Sequence, residues 1–476
     1  MGIFMNTEET KMLLYRYRKV ENALIEIEKG TFHFASREKL NDPLEGYVRV
    51  FWKGDKAAWE GLFKNYICST YHAVTMYLLA ADKDILFHNT LLLDVHGFDD
   101  LPLGEVYKNL GEMFLEDADV QQLSNFYGKA ERKVQCDELR LVLQFLHSKV
   151  LAMCIKKCIE CGTIPEEEGG RLLKIYEKRK QTIIPEKLYQ SLSEEAYDSY
   201  VVTCLKNAFD DMILYQYIRN GINNDEFLKG TMSCNTEGNE DANQHRKWMI
   251  IEVDFPKVYV EQMKELIYPE GFFVCFSGRN DDSAMWGNYA NDHKGICLIY
   301  ETSEEQALKI KKSDRFLSLN VKKVVYGREV IERNFFETFG RLTYPQIEGW
   351  LTGSGGVSKY YEVFRSKEEW RKKYWDAFEA KNYRKLKDWE HEEEYRIVID
   401  NTFYEYKEPE SRNLQYDPKA LKGIIFGINT SEYDKMQIMK KLLERKDVFD
   451  DFTFYQAEYD DMNQKIVVRE MGFWEL

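Results

Sequence analysis

The hydrophobic period of this 476-residue chain changes twice, and this change constrains the fold more than any other feature. Residues 12–52 contain the patterns of a strand, a helix and a strand in LLYRYR, VENALIEIEKG and TFHFAS. From about residue 55 to residue 230, apolar residues recur every three and four positions, which is typical of long amphipathic helices. Strand patterns then return. The sequence therefore predicts an α+β fold, in which a large, mostly α-helical insertion interrupts a split, antiparallel-rich β-sheet domain.

The returning strand patterns set the expected domain bounds. They are WMIIEVDF, GFFVCFS, KGICLIYE, VKKVVYG, EEYRIVI, LKGIIFG and DFTFYQAEY. A chain of this length exceeds one ordinary hydrophobic core. We expect residues 1–54 to form the first part of the sheet domain, residues 55–235 the helical insertion domain, and residues 236–476 the second part of the sheet domain.

Charge and targeting signals narrow the classes of partner. The net charge of −15 disfavours nucleic acid except at a local basic patch. The one candidate patch is residues 365–388, where Lys and Arg alternate with aromatic residues, although the same pattern fits an amphipathic helix with a solvated basic face. The start of the chain lacks the apolar core of a signal peptide, and no later run approaches the roughly 20 apolar residues of a membrane span. We expect a cytoplasmic protein with no membrane contact.

The cysteines indicate a reducing compartment, because nine scattered cysteines form no disulfide-type framework. Cys154, Cys158 and Cys161 would place three sulfurs on one helical face, with His147 further back on the same segment. A zinc site there is the alternative to ordinary core cysteines. We favour the core and predict no metal.

Three distant polar segments predict one split site. The first runs from Leu14-Tyr15-Arg16-Tyr17 to Asn41-Asp42-Pro43-Leu44-Glu45, the second from Cys275 to Gly295, and the third from Trp389 to Ile397. The second segment is an apolar strand followed by a polar turn and a short helix rich in Ser, Asn, Asp, Trp and Tyr. Packing alone does not require that mixture.

The order of these motifs resembles that of a bacterial family known as domain of unknown function 2971. The motifs are Leu-Tyr-Arg-Tyr, Phe-x-Ser, Asn-Asp-Pro-x-Glu, Cys-Phe-Ser, Met-Trp-x-x-Tyr-Ala, His-Lys-Gly and Glu-x-Glu-Tyr-Arg. The resemblance covers roughly residues 12–50 and 245–430. The helical block between residues 55 and 230 is longer than the family leads us to expect.

The opening of that family is also similar to ADP-ribosyltransferase folds, in which a first strand carries Arg or His, a later strand carries Ser or is followed by Tyr, and a last strand carries a catalytic Glu. This resemblance implies NAD as the substrate. It implies that Arg16 holds the nicotinamide-ribose or phosphate end of NAD, and that Ser277 and Tyr289 line the nicotinamide pocket. Glu394, with Glu392 two residues earlier on the same strand face, would polarise the ribose 2'-hydroxyl and stabilise an oxocarbenium-like transition state. In this sequence, Arg16 stands where many such enzymes have His, and the single Ser277 stands where the Arg-type members have Ser-Thr-Ser.

The predicted site consists of ten residues. The catalytic candidates are Glu394, Glu392 and Arg16, and the candidates for binding the substrate or cofactor are Tyr17, Ser277, Trp286, Tyr289, Asn41, Asp42 and Glu45. The implied protein is a bacterial effector, a toxin or a phage-defence component, that uses NAD for ADP-ribosyl transfer or NAD glycohydrolysis. Its partner would be a small-molecule nucleotide.

Several candidates also have an ordinary structural interpretation. Arg16 can pair with an acidic neighbour on the sheet surface, and Glu394 can pair with Arg396 on its own strand face. Trp286 and Tyr289 lie three residues apart and can both be core aromatics. Asn41-Asp42-Pro43 is by itself a strong turn signal.

Two other functions remain open. Asp42, Glu45, Asp281, Asp282 and Glu394 could converge on Mg²⁺ in a metal-dependent enzyme that cleaves nucleic acid. The third possibility is a non-enzymatic sensor or protein-interaction module, in which the helical insertion binds a partner protein.

Overall fold

The fold is described from a computed structural model, which covers residues 11–42, 44–79, 104–129, 133–180, 248, 250–402, 405–443 and 452–472. The chain divides into two compact units. The sheet unit comprises residues 1–48, 269–331 and 375–476, and the helical unit comprises residues 49–268 and 332–374. The chain is mixed α and β with an antiparallel-rich sheet, as predicted.

The main sheet of the sheet unit has the strand order β10-β16-β6-β1-β7-β18-β19-β20, with β3 beside β6. Its strands are β1 (Leu13–Arg18), β3 (Ala35–Ser36), β6 (Gly271–Ser277), β7 (Ile296–Glu301), β10 (Lys322–Lys323), β16 (Glu394–Asp400), β18 (Leu421–Phe426), β19 (Thr453–Asp460) and β20 (Lys465–Glu470). All neighbouring pairs are antiparallel except β18 and β19, which are parallel. Strands β1 and β6, which are far apart in the sequence, therefore lie side by side.

Shorter elements complete this unit. They are the strands β2 (Thr31–His33) with β17 (Asn413–Gln415), β8 (Ala307–Lys312) with β9 (Arg315–Asn320) and β11 (Val325–Tyr326) with β15 (Arg384–Lys385), and the helices α1 (Val20–Lys29), α8 (Ser283–Tyr289) and α12 (Glu432–Leu443). Helix α1 ends at Gly30, whose φ of 61° is left-handed, so the predicted helix stop is confirmed.

Two apolar clusters pack on the two faces of the sheet because side chains alternate along each strand. Leu14, Val274 and Ile397 belong to the larger cluster. Tyr17 and Trp286 belong to the smaller one. Each strand that carries a predicted site residue thus places its even and odd residues in different surroundings.

The helical unit contains α2 (Lys56–Leu79), α3 (Gly104–Leu115), α4 (Ala118–Lys129), α5 (Cys136–Glu160), α6 (Glu166–Lys180), α7 (Phe255–Glu265), α9 (Tyr344–Trp350) and α10 (Tyr361–Arg365), with the short strands β5 (Val134–Gln135), β13 (Thr352–Gly353) and β14 (Gly356–Val357). The strands β4 (Val48–Trp52) and β12 (Ile331–Asn334) pair within one small sheet with β5. Helix α11 (Lys367–Asn382) contains the boundary between residues 374 and 375. Part of the predicted helical segment, residues 194–220, lies outside the described residues.

The domain bounds differ from the predicted ones at three places. Residues 49–54, the described residues between 248 and 268, and residues 332–374, which we predicted within the sheet domain, belong to the helical unit. The physical reason is that helix α9, within residues 332–374, packs closely against helix α2 of the helical unit. The two helices approach so closely that a Cβ at Gly61 of α2 would lie 2.0 Å from the Trp350 carbonyl oxygen of α9. Whether the helical segment is an insertion into a sheet domain stays a prediction.

The predicted strand WMIIEVDF is wrong. Ile250–Asp254 form a π-helical turn that leads into α7. The Ile251 carbonyl accepts a hydrogen bond from Nε2 of the buried His147 at 2.7 Å, and Ile251 is itself fully buried. A short apolar run fits a buried helix as well as a buried strand, so the sequence pattern did not distinguish the two.

The segment 365–388 is largely helix α11, whose buried apolar residues share one side, while Trp375 is 45% exposed. Tyr374, Ala377 and Phe378 are buried, whereas Arg371, Lys372 and Lys373 are exposed. This arrangement corresponds to the amphipathic-helix interpretation. In the described part of the chain, no helix has both the length and the apolar character required to cross a membrane.

Candidate functional site

The candidate site lies where β16, β6 and β1 run side by side. Glu394 is in register with Ser277, and Ser277 is in register with Tyr15, so three motif segments meet in one row across the sheet. The Ser277 hydroxyl donates to the Glu392 carbonyl at 2.7 Å and accepts from the Arg279 amide at 3.2 Å. Ser277 therefore fixes the backbone of the chain that carries the two candidate carboxylates.

A cavity of about 480 Å³ opens beside this row. Eight of the ten predicted site residues line it: Arg16, Tyr17, Asn41, Glu45, Ser277, Tyr289, Glu392 and Glu394. The sheet brings together residues that are separated by up to 378 positions in the sequence, the difference between 394 and 16. A set of this kind is a default candidate for a ligand-binding site.

A buried lysine holds the two candidate carboxylates together. Nζ of Lys385 donates to Oε2 of Glu392 at 2.7 Å, to Oε2 of Glu394 at 3.1 Å and to Oδ1 of Asn41 at 3.1 Å. These bonds use all three donors of the ammonium group, and the side chain is only 3% exposed. Burial alone would lower the pKa of Lys385, but the charges of Glu394 and Glu392 outweigh burial and raise that pKa above its ordinary value.

Arg396 completes the charged network from the other side. Its Nε and Nη2 bind the two carboxylate oxygens of Glu394 at 2.6 and 2.8 Å, and Nη1 donates to the Asn382 carbonyl at 2.9 Å. The guanidinium also contacts the Glu45 carboxylate. We call Glu45, Glu392, Glu394, Lys385 and Arg396 the carboxylate cluster. Its three carboxylates and two cations leave one negative charge in a buried place, which favours a positively charged group in the cavity.

Tyr289 and Asn41 orient the Glu392 carboxylate. The Tyr289 hydroxyl donates to Oε1 of Glu392 at 2.7 Å, and Nδ2 of Asn41 contacts the same oxygen at 3.3 Å and the Tyr289 hydroxyl. Burial and the charge of Glu392 raise the pKa of Tyr289 far above its ordinary value, so the hydroxyl keeps its proton as a donor. Tyr289 thus contacts a candidate carboxylate with its polar end while its ring lines the cavity.

The predicted placement of Glu392 is wrong in one respect. Strand β16 begins at Glu394, and Glu392 is the last residue of a 3₁₀ turn over Lys387–Glu392. Glu393 between them has a left-handed φ of 42°, which turns the chain so that Glu392 and Glu394 both reach Lys385. The two carboxylates share one cation, although they do not share a strand.

Arg16 lies beside the cavity in an ion pair. Its Nε lies 3.1 and 3.2 Å from the two carboxylate oxygens of Glu26, and its Nη1 donates to the Cys275 carbonyl at 2.7 Å. This geometry corresponds to the ion-pair interpretation, but the pair is buried, with Arg16 only 4% exposed, rather than on the sheet surface.

The remaining predicted residues have structural contacts. Trp286 is fully buried, donates to the Asn280 carbonyl at 2.9 Å and packs edge-on against Tyr17, and it does not line the cavity. Asp42 accepts from the Leu44 amide at 2.9 Å and thereby holds the turn that brings Asn41 and Glu45 to the cavity. Trp286 and Asp42 support the site without facing a ligand.

Sequence reasoning missed Lys385, Arg18, Glu26 and Cys275 as lining residues. Lys385 belongs to the basic segment 365–388, where composition marks it as one of many solvated cations. Arg384 and Lys387 lie close to it in the sequence, so no sequence signal singles out Lys385.

The side chains named for the magnesium alternative are engaged in different contacts. Asp281 and Asp282 bind Arg279 at 2.9 and 3.9 Å and line a separate cleft, while Glu45 and Glu394 contact Arg396. Across the residues that the structure describes, no three His, Cys, Asp or Glu side chains are grouped to hold a metal ion.

The zinc alternative fails for a different reason, because both ring nitrogens of His147 are hydrogen-bonded. Nδ1 lies 2.8 Å from the Tyr66 hydroxyl, and Nε2 lies 2.7 Å from the Ile251 carbonyl oxygen. Cys154 and Cys158 are buried core thiols whose pKa is raised by burial.

Comparisons of this chain with protein-family models, with curated proteins and with solved structures found no match.

Proposed function

We propose that the sheet unit binds NAD and cleaves the bond between nicotinamide and ribose, with water or another nucleophile as the acceptor. The observation that carries the proposal is the row formed by Tyr15, Ser277 and Glu394 on three adjacent strands, beside a cavity that Arg16 also lines. In the ADP-ribosyltransferase-like arrangement described above, the strands that carry Arg, Ser and Glu contribute to one site.

The charge of the cavity supports this choice of substrate. The nicotinamide ring of NAD is cationic, and the carboxylate cluster carries a surplus negative charge on side chains that are at most 5% exposed. Positive charge moves from the ring to the ribose as the bond breaks, so the same carboxylates stabilise the oxocarbenium-like transition state.

The reaction balances without a further reagent. The C1'–N bond breaks and its electron pair leaves with nicotinamide, which departs as a neutral molecule. The oxygen of the acceptor then bonds to C1', and its proton passes to a carboxylate of the cluster, with Glu392 or Glu394 as the base. With water as the acceptor, the products are ADP-ribose and nicotinamide.

The test is the release of nicotinamide from NAD by the purified protein, measured by mass spectrometry. We expect release by the wild type and a loss of at least about 100-fold in both Glu394→Gln and Glu392→Gln, a factor typical of removed acid–base or electrostatic groups. The matched control is Glu393→Gln, because the Glu393 side chain is 46% exposed and lies between the two candidates in sequence.

Binding of NAD by titration calorimetry and circular dichroism of each variant separate loss of chemistry from loss of folding. The proposal is abandoned if folded wild-type protein neither binds nor cleaves NAD at millimolar concentration, or if Glu394→Gln and Glu392→Gln release nicotinamide as fast as Glu393→Gln. Roles as a toxin or phage-defence effector, and a protein partner for the helical unit, stay predictions.

A further inference from the structure

The cavity that Glu392 and Glu394 line is also lined by a second charged group of opposite net sign. This group consists of Arg16, Arg18 and Glu26, and we call these three residues the arginine fork. Arg16 and Arg18 lie two residues apart on β1 and therefore on the same face of the sheet. Glu26 lies on α1.

The carboxylate of Glu26 binds the Nε atom of each arginine. Nε of Arg16 lies 3.1 Å from Oε1 of Glu26, and Nε of Arg18 lies 3.1 Å from Oε2. The Tyr300 hydroxyl donates to Oε1 of Glu26 at 2.8 Å, so the carboxylate is fixed on its third side. Glu26 is only 6% exposed, and a buried carboxylate with these partners holds two guanidinium groups in fixed orientations.

The terminal nitrogens of the fork remain available. Within the described residues, no group accepts a hydrogen bond from Nη1 or Nη2 of Arg18 or from Nη2 of Arg16. The Arg18 side chain is 29% exposed and lines the cavity. A guanidinium that is pinned at Nε and open at Nη1 and Nη2 presents two parallel donors, which is the geometry that binds the oxygens of phosphate.

Electrostatics in this region favour an anion. Two arginines and one carboxylate leave one positive charge in the fork, and Lys39 and His33 line the same cavity. Helix α1 begins at Val20, two residues after Arg18, and no side-chain hydrogen bond caps its N-terminus. The positive end of the helix dipole adds to the field of the two guanidinium groups.

We infer that the arginine fork is a phosphate-binding subsite, led by Arg18, that holds the diphosphate of a dinucleotide whose cationic end occupies the carboxylate cluster. The inference rests on the proposed function for the identity of the dinucleotide as NAD. The two charged groups face the same cavity with opposite net sign, and NAD carries a cationic ring and an anionic diphosphate in one molecule. Glu26 is a positioning residue, since it acts through the two arginines.

The experiment compares three probes by titration calorimetry: ADP-ribose, inorganic pyrophosphate, and nicotinamide riboside, which has the cation without a diphosphate. We expect wild-type protein to bind ADP-ribose and pyrophosphate in competition. Arg18→Gln should weaken both by about 10- to 100-fold, because it removes charge-assisted hydrogen bonds, and should leave the affinity for nicotinamide riboside unchanged. Arg18→Lys should recover less than the full affinity, because it restores the charge without the two parallel donors.

The matched control is Arg328→Gln, which removes the same charge from a side chain that is 80% exposed and pairs with Asp388. The inference is overturned if folded wild-type protein binds neither ADP-ribose nor pyrophosphate at millimolar concentration, or if Arg18→Gln binds them as tightly as Arg328→Gln does. ADP-ribose binding that depends on Arg18, without cleavage of NAD, would retain the phosphate subsite and reject the proposed reaction.

Discussion

Replacement of Lys385 by Met should destabilise the protein strongly at neutral pH. Lys385 is 3% exposed and binds two carboxylates that are themselves 4% and 5% exposed. Removal of one partner from a buried ion pair typically costs about 3–5 kcal/mol, because a charge is left buried and uncompensated. Arg396 still neutralises Glu394 in the variant, so the loss falls mainly on Glu392. We therefore expect the lower end of that range, about 3 kcal/mol at pH 7.5.

The pH dependence of this loss follows from the charges. The folded pKa of Lys385 is raised, so the wild type keeps this contribution below the unfolded pKa of about 10.5 and loses it only as pH rises through the folded value. Lys385→Met has no proton to lose at this position, and the lysine of the wild type stays charged in both folded and unfolded states below the unfolded pKa. The deficit should therefore have the same size at pH 7.5 and pH 9.

The assay is urea unfolding followed by circular dichroism at pH 7.5 and pH 9 for wild type, Lys385→Met and Lys373→Met. Lys373 is a matched control, since its side chain is 74% exposed and pairs with Glu369 one helical turn away, and its replacement should leave the midpoint unchanged. A deficit below 1 kcal/mol at pH 7.5, or a deficit that disappears by pH 9, would refute the reasoning.

Two further predictions concern residues outside the carboxylate cluster. Burial lowers the pKa of His147 from 6.5 to about 4, so the stability that its neutral ring supplies is complete above pH 6.5 and is lost as pH falls through about 4. This loss of folding free energy amounts to about 3 kcal/mol over that pH window. Urea unfolding of His147→Gln should therefore lack this part of the pH dependence. An unchanged pH profile in His147→Gln would contradict the assignment. Gly295→Ala should destabilise the protein by about 2 kcal/mol, because a Cβ there would lie 2.2 Å from the Arg18 carbonyl oxygen. The control Gly287→Ala should leave stability unchanged, because a Cβ at Gly287 meets nothing within 4 Å. Equal thermal midpoints for the two variants would reject this packing argument.

The parts of the fold that depend on local signals could be predicted from the sequence. The alternation of LLYRYR, the helical pattern after Lys19 and the stop at Gly30 each reflect neighbouring residues, and β1 and α1 follow them. WMIIEVDF could not be assigned in this way, because a short apolar run fits both a buried strand and a buried helix, and packing around His147 decides between them.

The candidate site could be predicted as a set of residues but not as a set of contacts. Motif order indicated the residues that meet, since eight of the ten line one cavity. The left-handed turn at Glu393 and the reach of Lys385 between two carboxylates depend on tertiary placement. The pairing of Arg16 with Glu26 joins a strand to the helix that follows it, and nothing in the spacing of ten residues distinguishes it from a surface pair.

The connection between α8 and β7 gives the site a fixed chain length. Asn291, Asp292 and His293 are three consecutive residues with left-handed φ values, and backbone hydrogen bonds join His293 to Trp286 at 3.1 Å and Gly295 to Ala290 at 2.7 Å. Tyr289 is the last residue of α8, so its hydroxyl meets Glu392 only while this loop keeps its present number of residues. Among divergent copies of this protein, insertions and deletions should therefore be excluded from positions 290–295 even where the sequence of the helical unit changes freely.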